Sequence, residues 1–364
     1  MRKLTRRETL GILGIGAATF RASSLEARAS GQSVAFPKGA IIRTILKDYA
    51  PEDLAGGATL FHEHLQLGKD FNQKFAAAAA AARAANGLPP VPARGGGPGR
   101  ANTPPPPDIM HDVDLMTAEV LKAKQEGNLA CIVEAGHPEM GRDINFIRQV
   151  AMKSGVPIVI GGGFYSQPWY PKEISTMSED QILKAILKQV DDEVVGAFGE
   201  IGSWDEISAD ERKVFRAIGR AHVATNIPIF THTGIPGKSA LEQLDIFEDE
   251  GVKPEHVCIG HLGNLVDPNV YVHKQICRRG AFVGFDRQGV NDTQQVPMVM
   301  ALIEAGFADH LLFSADASSG YAKTITVFVP KLKVAGAAEE VLHQIMYDNP
   351  RRFLAFVPKR SRKH

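Results

Sequence analysis

Along this chain short apolar runs alternate with longer stretches of helical periodicity. The apolar runs cover 58–65, 130–136, 157–165, 197–203, 228–234, 257–263, 281–289 and 311–317, and each ends in polar residues or glycine. Most are near-continuous, as in Cys131-Ile132-Val133 and Ile158-Val159-Ile160, the pattern of parallel strands covered on both faces. Between them lie helix-like stretches at 115–125, 143–153, 180–190, 210–225, 239–250, 269–279 and 296–305. In one of these Ile182, Ile186 and Val190 recur at four-residue spacing, which lines one helix face. Strand and helix repeated about eight times predict an α/β fold, the (β/α)8 or TIM barrel. The alternative is an open doubly wound sheet, but no Gly-rich nucleotide turn follows the first strand.

One segment interrupts this rhythm. Ala76 to Ala82 is an alanine run that favours helix. Pro89-Pro90, Gly95-Gly96-Gly97 and Pro104 to Pro107 then form a tract that cannot pack a core. The stretch 76–107 is expected to be a flexible Pro/Gly-rich insertion after strand one, an exposed loop in preference to a lid.

The N-terminus has the order of a signal peptide. Arg6-Arg7 precede an apolar stretch from Leu10 to Phe20, and Ala27-Arg28-Ala29 offers a small-x-small cleavage site. That stretch falls short of the about 20 apolar residues a spanning helix needs. Paired arginines before a mildly apolar core resemble a twin-arginine export signal. Residues 1–29 are thus expected to be removed and 30–364 to form the barrel. The mature protein would lie in a bacterial periplasm or be secreted, with the export machinery as partner of the precursor only and no membrane contact afterwards.

Composition narrows the partners. Lys plus Arg number 41 against 41 for Asp plus Glu, and a net charge of zero gives no basic field for nucleic acid. The three cysteines, Cys131, Cys258 and Cys277, are too few and odd in number for a disulfide framework. A small-molecule substrate is the expected partner; a homodimer is left open.

The chemistry is carried by strand ends. Phe61-His62-Glu63-His64 closes the first apolar run, and residues i and i+2 of a strand share a face. Glu200, His232, His261 and Asp316 stand at the ends of the fourth, fifth, sixth and eighth runs. In a barrel all strand C-termini point to one mouth, so these residues meet in space. Imidazoles and carboxylates suit Zn²⁺ first, and also Mn²⁺, Fe²⁺ or Co²⁺. The set exceeds what one tetrahedral zinc needs and suffices for two cations about 3.5–4 Å apart. Phe164, Tyr165, Trp169 and Tyr170 cluster after strand three, where Tyr165 and Trp169 are candidates for an apolar substrate wall. Glu134 and His137 follow strand two and are candidates for the pocket or for its support.

In this order, these motifs resemble the phosphotriesterase family of the amidohydrolase superfamily. The likeness runs from about Gly39 to Pro358 through Gly141-Arg142-Asp143, Thr231-His232-Thr233-Gly234, Ile259-Gly260-His261, Gly284-Phe285-Asp286-Arg287, Ser314-Ala315-Asp316 and Asn349-Pro350-Arg351-Arg352. The resemblance implies that His62, His64 and Asp316 hold an inner metal and that His232 and His261 hold an outer one. Many members bridge the metals with a carboxylated lysine on strand four. This chain has no lysine between Val190 and Lys213, and Glu200 offers the carboxylate instead, as in phosphotriesterase homology proteins. Arg287 matches an arginine near the substrate in the lactonase branch; a plain ion pair with Asp286 is the alternative. The segment after strand eight, 318–326, is shorter than the specificity loop of lactonases and phosphotriesterases.

The expected function is a metal-dependent hydrolase of ester, lactone or phosphoester bonds. A hydroxide bridging two cations would be the nucleophile and Asp316 the general base. Two further readings stand beside it. One is a periplasmic binding protein that uses the mouth without turnover. The other is a mononuclear amidohydrolase such as a deaminase, which would pair the strand-five histidine with a nearby glutamate that Thr231-His232-Thr233-Gly234 lacks.

Overall fold

In the computed structural model, which describes residues 34–89, 108–234, 237–265, 267, 269–289 and 292–359, the apolar runs form one eight-stranded parallel sheet. Its strands are β1 (Ala58–Glu63), β2 (Leu129–Glu134), β3 (Ile158–Gly162), β4 (Val195–Ser203), β5 (Ile229–Thr233), β6 (Val257–Ile259), β7 (Phe282–Phe285) and β8 (Leu311–Phe313). They pair in sequence order. The sheet meets itself at the mouth, where Asp316 N–H donates to the His62 carbonyl at 3.2 Å and His64 N–H to the Ala317 carbonyl at 3.0 Å. This is the expected (β/α)8 barrel. The leader read at 1–29 and the tract at 90–107 lie outside the described residues.

Helices α1 (Phe71–Ala85), α2 (Val113–Gly127), α3 (Ile144–Ser154), α4 (Glu179–Glu193), α5 (Ala209–Thr225), α6 (Ala240–Asp249), α7 (Tyr271–Arg279) and α8 (Asp292–Glu304) follow the strands, α1 and α2 both falling between β1 and β2. Local chemistry starts several of them. Asp112 caps α2, and Ser178 and Ser208 begin capping boxes with Gln181 and Glu211, satisfying amide groups that the first turn leaves without partners. The apolar faces of α2 to α8 pack against outward-facing strand residues such as Leu60, Ile132, Ile158 and Phe198. A second, smaller cluster fills the barrel interior with Phe61, Cys131, Val133, Val159, Ala197, Phe230, Cys258, Phe282 and Leu312. The cysteines are buried and free, two of them in this interior.

Two strands change phase near the mouth. On β1, Leu60 packs outward and Phe61 inward, so strict alternation would turn His62 outward. The pairing of β1 with β2 is irregular between Leu60 and Glu63. Likewise Phe198 and Ile201 of β4 both pack outward, and the pairing of β4 with β5 is irregular between them. Irregularities of this kind re-aim side chains at barrel rims. Here they turn His62 and Glu200 into the mouth.

Candidate metal centre

His62, His64, Glu200, His232 and His261 are buried together at the mouth, with the Asp316 side chain 9% exposed beside them. Glu200 stands at the centre. Its Oε1 lies 3.3 Å from His64 Nε2. Its Oε2 lies 2.8 Å from His232 Nδ1, 3.2 Å from His261 Nε2 and 3.4 Å from His62 Nε2. One carboxylate thus touches both the β1 histidines and those of β5 and β6, Oε2 reaching into both groups. Asp316 reaches His64 Nε2 with Oδ1 at 3.1 Å. Among the described residues three donor sets result: His62 with His64 and Asp316, Glu200 with His232 and His261, and, sharing a histidine with each, His62 with His261 and Asp286.

The backbone turns these side chains inward at some cost. His261, Arg287 and Asp316, just past the ends of β6, β7 and β8, all take left-handed conformations, with φ of 59°, 60° and 46°. Such conformations cost about 1–3 kcal/mol each for non-glycine residues and gather at functional sites. Gly260 permits the turn at β6, because a Cβ there would lie 2.0 Å from the Thr231 carbonyl oxygen.

The donor set fits divalent cations. His62 has three carboxylate oxygens within 3.4 to 3.7 Å, yet neither of its ring nitrogens makes a hydrogen bond. His64 Nδ1 is likewise unpartnered and buried. Buried polar atoms are ordinarily satisfied, so the two His62 nitrogens, orphaned yet facing carboxylates, fit a cation held between them. The electrostatics agree. Burial works against a charged His62, but Glu200, Asp286 and Asp316 outweigh it and raise its pKa. Burial also opposes ionised Asp316 and Glu200. Arg287 with His261 and His64 nevertheless holds Asp316 well below the usual carboxylate range, and His62 and His232 do the same for Glu200. Against burial, Asp286 is the third carboxylate held ionised here, chiefly by His261.

Asp286 has a role that the sequence reading did not give it. Its Oδ1 accepts from His261 Nδ1 at 2.8 Å and its Oδ2 from His261 N–H at 3.1 Å. A carboxylate behind a histidine fixes the tautomer and leaves Nε2 free to ligate. Arg287 therefore does not pair with Asp286; its Nε donates to Asp316 Oδ2 at 2.8 Å. Glu63, the middle residue of the His-x-His motif, is a second omission. It accepts from Ser314 Oγ, Ala315 N–H and Ala317 N–H at 2.9, 2.7 and 3.1 Å, which clamps the backbone on both sides of Asp316. Glu134 and His137 do not enter the mouth. Glu134 accepts from the Leu65 and Gly136 amides, and His137 lies against the Gly163 and Glu200 carbonyls at 3.1 and 2.9 Å.

Above the ligands sits an aromatic cluster. The Tyr165 hydroxyl lies 3.2 Å from His232 Nδ1, so Tyr165 reaches the donor set. Trp169 packs one layer back, its ring 4.9 Å from that of Tyr165 and 5.3 Å from Phe71. Helix α1, which runs on into the expected insertion, supplies this cluster with Phe71 and Phe75. At the far end of α1, Asn86 donates to Asp205 and accepts from Lys238 Nζ. Phe71 and Phe75 thus carry α1 into the site, a placement the sequence reading did not give, whereas 76–89, the described part of the expected insertion, is mostly exposed. The signal was available in Phe71 and Phe75, four apart and on one helix face, just ahead of the alanines.

Comparison with known proteins agrees with this geometry. The profile of the Phosphotriesterase family matches residues 43–354. The chain is 31% identical over 267 residues to an aryldialkylphosphatase of Saccharolobus solfataricus, covering 65% of this chain and 84% of that protein. It is 24% identical over 366 residues to an N-acetyltaurine hydrolase of Danio rerio, covering 86% and 98%. Among solved structures, a resiniferatoxin-binding protein from Rhodobacter sphaeroides superposes with a TM-score of 0.70 at 26% identity, over 87% of this chain and 95% of that one.

Proposed function

The chain belongs to the phosphotriesterase family and is a hydrolase, and from that premise we propose that it cleaves carboxyl esters or lactones at a pair of divalent cations. The observation that carries this reading is the place of Glu200 between the two histidine groups, with Oε1 against His64 and Oε2 against His62, His232 and His261. His62, His64 and Asp316 would hold one cation, His232 and His261 the other, and Glu200 would lie between them, zinc being the first candidate. Bound there, the cations would polarise the scissile C=O or P=O and bring the pKa of water toward neutrality.

The protein's own groups do the rest. Asp316 takes the proton released as water attacks and passes it toward the leaving group. Arg287 keeps that carboxylate ionised and stands at the mouth as a donor for an oxygen of the substrate. Asp286 holds His261, and Glu63 holds the backbone that carries Asp316.

Substrate charge follows from the count of cationic donors. Among the described residues Arg287 is the one guanidinium bonded to the cluster, whereas a polyphosphate would want several. The substrate is therefore uncharged or weakly anionic. Glu200 in place of a longer bridging side chain, with the short segment after Asp316, tilts away from phosphotriesters. The test is a screen of the zinc-loaded protein against aryl esters, lactones and phosphotriesters. An ester or lactone should give the highest kcat/KM; a phosphotriester equal to or above it refutes the ranking. No turnover of any class at full metal loading would favour the binding-protein reading.

For residues 1–29 we propose removal during twin-arginine export to the periplasm. The support is Arg6-Arg7, the apolar stretch to Phe20 and Ala27-Arg28-Ala29. Precursor with Arg6 and Arg7 both changed to Lys should stay in the cytoplasm uncleaved, and normal export of that variant overturns the proposal.

A further inference from the structure

We propose that Phe75 of α1, backed by Phe71 and joined by Trp204, is a specificity-determining wall that receives a flat aryl group of the substrate beside His232. The proposal rests on the ester-hydrolase reading for its substrate, an aryl ester or aryl-substituted lactone. The wall itself stands on geometry.

Phe71 and Phe75 lie one turn apart on α1 and so share a face. That face spans the centre. The Phe71 ring is 6.5 Å from the His64 ring, and the Phe75 ring is 6.3 Å from the His232 ring, edge to face. Phe75 also lies 5.6 Å from Trp204, and the Arg287 guanidinium is 5.7 Å from the Phe75 centroid. The same side chain therefore touches a candidate ligand, the Arg287 guanidinium and the loop after β4.

Burial separates the support from the contact surface. Phe71, Tyr165 and Trp169 are buried, whereas Phe75 and Trp204 are half-buried. Trp204 Nε1 is among the fully covered atoms, so the indole offers carbon and not its N–H. An open pair of aromatic hydrocarbons beside a polar centre gains most from a flat apolar partner. Ring contacts add about 0.5–1.5 kcal/mol beyond the area they bury. A methyl group in the same place gains neither the stacking nor most of the area. The Asn86 contacts with Asp205 and Lys238 pin the far end of α1, so the wall is held in place before the substrate arrives.

The chain offers a direct reporter, because its only two tryptophans are Trp169 and Trp204. Both belong to this cluster, and intrinsic emission reads it alone. Zinc-loaded protein would be titrated with phenylphosphonate and with methylphosphonate. The phenyl compound should shift the emission and bind about tenfold more tightly, the size expected of one ring contact plus burial. Phe75→Ala should shrink that preference to under about threefold and leave methylphosphonate affinity within about twofold, while Phe75→Tyr keeps it. Phe75 is half-buried, so the Ala variant should fold, which its melting curve checks. Equal affinity for both phosphonates, binding of neither, or a tenfold preference that survives Phe75→Ala overturns the proposal. Failure of the hydrolase reading looks different: a protein that prefers the phenyl compound yet hydrolyses no ester keeps the wall and loses the reaction.

Discussion

The floor of the barrel mouth is made by strand ends, whereas its roof is made by a helix inserted after the first of them. On the floor, His62, His64, Glu200, His232, His261 and Asp316 are fixed by ladder pairing, by left-handed turns at three strand ends and by buried carboxylates behind them. On the roof, Phe71 and Phe75 are placed by the packing of one helix against Tyr165, Trp169 and Trp204, and by a polar tether at Asn86. The floor is polar and overdetermined; the roof is apolar and held mainly by contact area. Substitutions in the two should therefore differ in kind. Floor changes should remove chemistry or metal with the fold intact, and roof changes should alter which substrates bind and how firmly α1 is seated.

The largest effect is expected at Asp316. Asp316→Asn removes the proton acceptor and retains a weaker ligand atom, so kcat should fall about 10²–10⁴-fold at near-normal metal content. Activity within a few-fold of wild type at full occupancy would take Asp316 out of the mechanism. Next is Asp286→Asn, one layer behind the ligands. It should weaken metal binding about 10–100-fold, measured by competition with a chelator. Undiminished affinity would mean that the hydrogen bond to His261 Nδ1 does not tune the ligand. The smallest effect belongs to the tether. Asn86→Ala should raise amide hydrogen exchange in α1 about fivefold to tenfold, as expected for the loss of about 1 kcal/mol of hydrogen bonding, with kcat within about threefold. If exchange in α1 is unchanged, ring packing alone seats the helix.

The same contrast explains what could be read before any coordinates. The eight strands, seven of the helices and the candidate ligand residues follow from apolar runs and periodicity, because a barrel gathers every strand end at one mouth. His62 and His64 could be read as a pair, but not the phase that turns them inward. That phase depends on irregular pairing between Leu60 and Glu63, a relation between two strands that neither shows alone. Glu63 and Asp286 were passed over for a related reason. Glu63 lies between two candidate ligands in sequence and Asp286 beside Arg287, but their partners come from elsewhere, Glu63 bonding to residues 251–254 positions away and Asp286 to His261. The roof was harder still. An alanine-rich helix leading into a Pro/Gly tract reads as an appendage, and only contact with Tyr165, Trp169 and Trp204 shows where its aromatic face goes.

The central claim is that Glu200 joins two cation sites on the floor. Metal analysis of purified wild-type protein and of Glu200→Ala, each checked for an unchanged melting profile, tests it most directly. The account predicts about two equivalents per wild-type chain, as for a dinuclear hydrolase, and loss of that pair in the variant. One equivalent per chain, unaffected by Glu200→Ala, would contradict it.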